Sequence, residues 1–310
     1  MKTRQVDSFL QALRRRGCTP DSIRAYRSHL QPLLEFLNGN GPEGATRTDL
    51  NAFVDHLYRC TTRWDTGSKY HSPRPGPLSK ATIGDYIAAT KRFYSWLVER
   101  DIREDNPAEH LIVPSRPKKK PKALRPKDFV AMLEASVQSR IPQRDRAVLL
   151  LLYNTGIRLG GLASLELRDL EIERGRMTIR EKGDKERYAY FNQKITGAAL
   201  REWLAVRPDG KSEAVFTTAT GEPLKKSSFV SMLRRLAKRA GIKGPFRPHS
   251  FRHRFALEQL DAGVDVAAVA RMMGHSSPKT TLTAYARWTD ADVERKAREN
   301  DAVLRLFEES

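Results

Sequence analysis

The chain has 310 residues, 30% of them charged and 39% hydrophobic, a composition typical of a soluble globular protein with room for two domains. Its formal net charge of +19 indicates a polyanionic partner, and nucleic acid is the first candidate. The longest apolar run, Ala147 to Tyr153, is too short to cross a membrane and no signal segment opens the chain, so we expect a cytoplasmic protein with no membrane partner. Cys18 and Cys60 have no metal-ligand spacing, and we expect two reduced thiols.

Residues 1 to about 110 carry helical patterns of apolar residues, and we expect this part of the chain to be all helical. Two stretches have this spacing, Pro20 to Leu37 and Ser79 to Glu99, and each would bury one apolar stripe. Pro32 lies inside the first stretch and is expected to kink or interrupt that helix. Between the two, Thr61 to Pro77 is rich in Gly and Pro and is predicted to be a loop. The aromatic residues lie on the apolar stripes, so we expect them in the core rather than on a base-stacking surface.

The composition changes in the stretch from Pro114 to Lys127. It contains seven basic residues, four prolines and no acid, which is typical of an extended linker. Such a linker is either a solvated tether or a basic segment that lies against DNA phosphates and lets two domains close around a duplex. We favour the second interpretation because the whole chain is basic.

A second domain is predicted from about Leu124. A buried helix is expected from Arg144 to Asn154, ending at Gly156, so that Arg158 follows directly after a helix end. The segment from Glu171 to Phe191 then alternates between turn residues and strand formers, which predicts three short antiparallel strands. Lys182 and Lys185 both fall in the last hairpin turn of that sheet, and the pattern alone does not choose between them.

Helical patterns return after the predicted sheet. Lys194 to Val206 and Ser227 to Ala240 are amphipathic, and the second presents a basic face suited to a nucleic-acid backbone. In the next helix, His249 and Arg252 are three residues apart and point the same way. Helix ends are predicted near these residues and near His275, and a helix N-terminus is a natural site for a phosphate.

A zinc site at His249 and His253 is the alternative for this helix, because histidines four residues apart share one face. The glutamate of an H-E-x-x-H motif is missing, no cysteine joins the pair, and Arg252 would place a cation beside the metal. We therefore expect no metal and no cofactor.

Five fragments, taken in chain order, resemble the tyrosine recombinase family, which includes phage integrases and Xer-like site-specific recombinases. They are Arg158 in TGIR, Lys182 in EKGDKER, the pair His249 and Arg252 in HSFR, His275 in GH, and Tyr285 in TLTAY. The resemblance selects Lys182 over Lys185. It implies a mainly α fold with a small antiparallel β-sheet in the second domain, and a two-domain, C-shaped DNA clamp. The implied domains are a helical, SAM-like core-binding domain at 1–112, a basic linker at 113–123, and a catalytic domain at 124–310 with a C-terminal helix at 289–307.

The resemblance also implies the roles of the residues that bind the phosphate. A phosphodiester gains negative charge on its nonbridging oxygens when a nucleophile approaches, and the guanidinium groups of Arg158 and Arg252 can match those oxygens bidentately. His275 is expected to donate a hydrogen bond to the same phosphate.

The remaining residues carry the covalent chemistry implied by the family. Tyr285 would attack the phosphorus, with His249 assisting removal of its proton, and Lys182 would protonate the leaving 5′-oxygen. The product is a covalent 3′-phosphotyrosine, which a second 5′-hydroxyl can reverse without ATP or metal. The implied partners are double-stranded DNA, further copies of the chain as a dimer on a site and a tetramer in the synapse, and accessory proteins, all at the nucleoid. The C-terminal helix either folds back on its own core or docks into a neighbouring subunit.

Two features depart from the family, and two other functions are considered. Gly161 stands where an acidic residue is usual, which bears on the level of activity rather than on the type of reaction. His275 and Tyr285 are ten residues apart, one more than in many relatives, and we expect the extra residue to be accommodated. The alternatives are a type IB topoisomerase, which has similar chemistry, and a catalytically weak DNA-binding relative, which Gly161 would favour.

Overall fold

The computed structural model describes residues 4–38, 41–63, 74–115, 123–181, 185–210, 212–244, 246–275, 277 and 281. The chain divides into two compact units, Met1–Lys119 and Lys120–Ser310, and each has its own apolar core. Within the described ranges, no helix is long and apolar enough to cross a membrane. The centre of the predicted linker, 116–122, and the predicted C-terminal helix, 289–307, lie outside the described residues.

In the described part of the first unit, four helices surround the core. They are α1 (Arg4–Arg15), α2 (Pro20–Phe36), α3 (Arg47–Arg59) and α4 (Lys80–Glu99). Three of them begin at a hydroxyl side chain, Thr19, Thr46 or Ser79, that accepts a backbone N–H of the first turn. These caps satisfy donors that have no partner inside the helix, which explains why the helices begin at these positions.

Two local features of the first unit correct the sequence-based expectations. Helix α2 is continuous through Pro32, so the expected interruption is wrong; Leu30 and Leu33 on either side are fully buried, and their packing outweighs the loss of one backbone hydrogen bond. The loop between α3 and α4 also contains a short antiparallel pair, β1 (Thr62–Arg63) with β2 (Arg74–Pro75). The first unit is therefore not wholly helical.

The core of the first unit is largely aromatic. The ring of Phe9 lies 5.4 Å from that of Phe93, edge to face, and Phe93 contacts Tyr94 in the same way at 5.7 Å. All three rings are fully buried. The prediction that these aromatic residues are core residues is confirmed. Their burial fixes how α1 packs against α4.

In the described part of the second unit, seven helices accompany a three-stranded sheet. The helices are α5 (Pro126–Val137), α6 (Pro142–Thr155), α7 (Leu159–Ala163), α8 (Ala198–Val206), α9 (Lys226–Arg239), α10 (His249–Asp261) and α11 (Val266–Met273). The strands are β3 (Leu170–Glu171), β4 (Arg176–Glu181) and β5 (Lys185–Tyr190), which are antiparallel in the order β3-β4-β5. A π-helical turn over Gln193–Gly197 precedes α8, where the sequence predicted ordinary helix.

Helix α6 is the centre of the second core. Every residue from Ala147 to Leu152 is buried, which explains the unbroken apolar run in the sequence. The sheet covers this core with Met177 and Ile179 of β4, and the indole Nε1 of Trp203 in α8 donates to the Val215 carbonyl at 2.8 Å. The predicted fold class, mainly α with a small antiparallel sheet in the second domain, is confirmed.

Candidate active site

The turn after α6 begins with a glycine that the fold requires. Gly156 has φ +58° and ψ 22°, and a Cβ atom placed there would lie 2.7 Å from Cδ1 of Phe255 in α10. Only glycine tolerates both the left-handed backbone and this close approach. The turn continues through the buried Ile157 and places Arg158 at the N-terminus of α7.

Arg158 is an exposed side chain that donates to the end of α11. Its Nη1 and Nη2 atoms each lie 3.2 Å from the carbonyl oxygen of Gly274, and Nη1 lies 3.5 Å from that of Met273. The C-terminal carbonyls of a helix carry partial negative charge, so this is a favourable place for a cation. The turn at Gly274 and His275 therefore holds the guanidinium of Arg158 in place.

Arg252 reaches the same helix end from another direction. It lies in the first turn of α10 and is only 4% exposed. Its Nη1 donates to the Gly156 carbonyl at 2.9 Å, and its Nη2 donates to the Met273 carbonyl. The two arginines thus share one carbonyl acceptor. Because Gly156 and Met273 end α6 and α11, Arg252 also fixes these two helix ends to each other.

His275 follows directly after this shared acceptor. Gly274 adopts a left-handed conformation that ends α11, and the backbone N–H of His275 donates to the Ala270 carbonyl at 2.9 Å. The imidazole Nδ1 lies 2.7 Å from Oγ1 of Thr281, which is fully buried. This hydrogen bond orients the ring. The sequence motifs did not single out Thr281; the only signal was a hydroxyl six residues after the histidine.

His249 is the first residue of α10 and lies in the field of several cations. Loss of solvent around the ring lowers its pKa below the ordinary value, and the charges of Arg252, Arg158 and Lys226 lower it further. Its imidazole is therefore neutral near pH 7 and can accept a proton. The contribution of Lys226, at the start of α9, was not recognised as part of this site from the sequence.

The ring of His253 lies 6.5 Å from that of His249, measured between centroids. Burial lowers the pKa of His253 as well, with His249 and Arg252 as further causes. A second neutral imidazole is therefore adjacent to His249 on α10.

Helix α10, which carries three of these groups, is tied to α6 by a side-chain pair. The hydroxyl of Tyr153 donates to Oε1 of Glu258 at 2.5 Å. Burial, and then this contact with the Glu258 carboxylate, raises the pKa of Tyr153 to about 12, so the phenol keeps its proton. The pair holds α10 at a fixed position relative to the turn that contains Arg158.

Lys182 and Tyr285, the predicted general acid and nucleophile, lie outside the described residues. The strands beside Lys182 are described, and Glu181 of β4 pairs with Lys185 of β5. Strand β4 is anchored by Arg180, whose Nη2 lies 2.7 Å from Oδ1 of the buried Asp169.

Gly161 lies in α7, just after Arg158, and connects this helix to the sheet. A Cβ atom at Gly161 would lie 3.3 Å from Ile179 of β4 and 3.4 Å from Ile157. The two isoleucines fill the space beside this glycine, where the resemblance led us to expect an acid. Of the six predicted site residues, the structure brings Arg158, Arg252 and His275 together at the end of α11, with His249 close enough to experience the charges of both arginines.

Comparisons with known proteins identify the family of the chain. Residues 122–292 match the phage integrase family, and residues 6–104 match the phage integrase N-terminal SAM-like domain. Tyrosine recombinase XerC of Roseiflexus castenholzii is 31% identical over 290 residues, 89% of this chain and 87% of the relative. Tyrosine recombinase XerD of Halalkalibacterium halodurans is 34% identical over 273 residues, 86% of this chain and 87% of the relative.

Two solved structures share the fold. The XerH site-specific recombinase bound to its difH substrate has a TM-score of 0.67 at 22% identity, with 89% of this chain and 78% of that chain covered. The Tn1549 transposon integrase in complex with a circular intermediate DNA has a TM-score of 0.70 at 18% identity, with 95% and 98% covered.

The family match and the Xer relatives place the chain among the DNA strand transferases of the tyrosine type. The chain belongs to the phage integrase family and is an Xer-type tyrosine site-specific recombinase, as its motifs predicted.

Proposed function

We propose that the chain cleaves and rejoins specific sites in duplex DNA, with Arg158, Arg252, His249 and His275 around the reacting phosphate. The observation that carries this proposal is the shared Met273 carbonyl, which holds two guanidinium groups side by side next to His275. Fixed positive charge at one point stabilises the negative charge that develops on a phosphodiester under attack.

In the proposed reaction, His249 accepts one proton and Lys182 donates one. The Tyr285 phenol loses its proton to the neutral imidazole of His249 and its oxygen bonds to phosphorus, while the bond to the 5′-oxygen breaks. Lys182 gives a proton to that 5′-oxygen, which leaves as a hydroxyl. The 3′-phosphotyrosine ester keeps the energy of the phosphodiester bond that was broken. Attack on it by the 5′-hydroxyl of a second strand therefore regenerates the phenol and completes strand exchange.

A pool of nicked duplexes with randomised sequence tests this chemistry. Loss of the short 5′-hydroxyl fragment traps the covalent intermediate, and sequencing the attached strand identifies the cleaved site. We expect adducts with the wild-type protein and with the control Tyr58→Phe, which changes an exposed tyrosine of α3. We expect none with Tyr285→Phe, which should still bind the duplex. Adducts formed by Tyr285→Phe would refute the assignment of the nucleophile.

The same selected duplex separates the alternatives. A recombinase joins strands from two different duplexes, whereas a topoisomerase-like enzyme relaxes supercoiled DNA without exchanging strands. A catalytically weak DNA-binding relative would bind the duplex and give no adduct. We expect exchange between duplexes.

The domain organisation and assembly are also proposals. We propose a helical DNA-binding domain at 1–112, a basic linker at 113–123 and a catalytic domain at 124–310, which together clamp the duplex at the nucleoid. The match of 6–104 to a SAM-like domain and the charge of +19 support this. We further propose a dimer on each site, a tetramer in the synapse and accessory proteins. Light scattering on one-site and paired-site duplexes measures the assembly, and DNA affinity should fall steeply with salt.

A further inference from the structure

A cavity of about 480 Å³ lies in the second unit between the start of α6, the side of α9 and the segment around Thr218. We call it the α6–α9 cavity. Apolar side chains, among them Ile141, Met232 and Leu236, line part of its wall. Four arginines and four serines line it as well: Arg140, Arg144, Arg235, Arg239, Ser139, Ser227, Ser228 and Ser231. Its volume is within the range of small-molecule sites in proteins.

The charge in this cavity is not balanced by acids. Asp145 is the one carboxylate in the described lining, and Arg144 binds it through Nε at 2.9 Å and Nη2 at 2.7 Å. Both residues are buried, and Arg144 also donates to the Thr217 carbonyl at 3.0 Å, so this pair is structural. The other three arginines are exposed, and none pairs with a carboxylate among the residues that the structure describes.

Hydroxyl groups lie beside the three exposed arginines. Ser227, Ser231, Arg235 and Arg239 follow one another at intervals of four residues, so they form a single stripe along α9. Ser139, which also lines the cavity, has a buried Oγ with no hydrogen-bond partner within the described part of the chain. A buried polar atom without a partner is costly.

We propose that the α6–α9 cavity is a phosphate-binding site, separate from the arginine pair at the end of α11. Guanidinium groups bind phosphate oxygens bidentately, and serine hydroxyls donate to the oxygens that remain. The phosphate belongs either to a DNA backbone or to a free phosphorylated molecule. The inference stands on the cavity alone and does not depend on the recombination chemistry.

The geometry of α6 separates the two sites. Arg144 lies in the first turn of α6 and Gly156 follows its last turn, which at 1.5 Å per residue places them about 18 Å apart. The cavity runs along α9 from Ser227, next to Lys226, to Arg239 at the end of the helix. Its exposed arginines on α9, Arg235 and Arg239, lie toward the end of the helix that is remote from Lys226.

The test measures pyrophosphate binding to the full chain by calorimetry at fixed ionic strength. It is made in wild type and in Arg158→Ala, so that binding at the end of α11 is separated from binding in the cavity. Arg235→Gln/Arg239→Gln should weaken the cavity site about tenfold or more. The matched control, Arg234→Gln/Lys238→Gln, removes the same charge from exposed positions of α9 that do not line the cavity, and it should leave affinity unchanged. Arg140→Gln, in the loop before α6, is a second variant outside the helix.

Saturating duplex then distinguishes the two sources of phosphate. If DNA supplies it, duplex abolishes pyrophosphate binding in the cavity, and Arg235→Gln/Arg239→Gln loses one contact in phosphate-ethylation interference. If a free molecule supplies it, pyrophosphate binds the DNA complex with unchanged affinity. Either result supports the site. Equal losses in the test and control pairs, or no saturable binding in Arg158→Ala, would overturn it.

Discussion

Arg158 and Arg252 donate to the same acceptor, the carbonyl oxygen of Met273, although they approach it from different helices. Their surroundings differ. Arg158 is exposed at the start of α7, whereas Arg252 is buried and also bonds to the Gly156 carbonyl. Both arginines are proposed to stabilise the reacting phosphate, but only Arg252 also joins the ends of α6 and α11 to each other.

We predict that alanine at either arginine slows DNA cleavage by roughly a thousandfold, because a group that stabilises the transition state is removed. Only Arg252→Ala should also destabilise the fold, by about 1 to 3 kcal/mol, since two carbonyls at buried helix ends lose a charged donor. Cleavage rates and urea unfolding measure the two effects. Arg271→Ala, an exposed change on α11, is the control and should alter neither. Equal destabilisation by the two arginine variants would contradict this account.

Gly156→Ala should destabilise the second unit by about 1 to 3 kcal/mol, because the new Cβ combines a positive φ with a 2.7 Å approach to Phe255. Displacement of the turn would also move the carbonyl that Arg252 uses. Gly160→Ala is the matched control: a Cβ there meets nothing within 4 Å, and the change should stay within about 0.5 kcal/mol. Urea unfolding with a probe in the second unit separates them, and similar midpoints for both variants would be evidence against the strained turn.

Thr281→Val should slow cleavage about tenfold without unfolding the protein. Valine keeps the shape of this buried side chain but removes the hydroxyl that orients His275, and one hydrogen bond is worth about 1 kcal/mol. Thr281→Ser keeps the hydroxyl and should retain most of the activity. The pH dependence of the cleavage rate should change in the valine variant alone. If serine and valine behave alike, the hydroxyl does not position the imidazole.

Stability should decrease as the pH falls from 7 to 5.5, in part through two histidines of α10. The pKa values of His249 and His253 lie below the ordinary 6.5 in the folded protein, first because of desolvation. The unfolded chain therefore binds more protons in this range, and unfolding becomes easier as the solution is acidified. The melting temperature of His249→Gln/His253→Gln should fall less than that of the wild type over the same pH interval. An unchanged decrease in the double variant would assign the effect to other groups.

Much of the fold is predictable from local patterns. The apolar run of α6, the glycine that ends it, and the alternation of β4 and β5 each reflect contacts within one element or between adjacent strands, and the sequence records these directly. The expected interruption of α2 at Pro32 was wrong because it rested on the local pattern alone. The cost of a proline is local, whereas the burial of Leu30 and Leu33 that compensates for it comes from other helices.

The site residues divide in a similar way. Motifs identify Arg158, His249, Arg252 and His275 as candidates, because each motif is a short run with a recognisable order. They do not reveal that Thr281 forms a hydrogen bond with His275, or that the charge of Lys226 lowers the pKa of His249, since neither Thr281 nor Lys226 belongs to a motif. The filling of the space beside Gly161 by Ile157 and Ile179 is equally invisible in the local pattern.

The sequence by itself determined the basic charge, the helical and strand segments and the family motifs, all of which depend on composition or on residues close in the chain. The tertiary structure alone decided that Met273 holds two arginines together and that a basic cavity forms between α6 and α9. These relationships join segments that are distant in sequence. They exist only once burial of the apolar clusters, including the one between α10 and α11, has fixed where each helix ends.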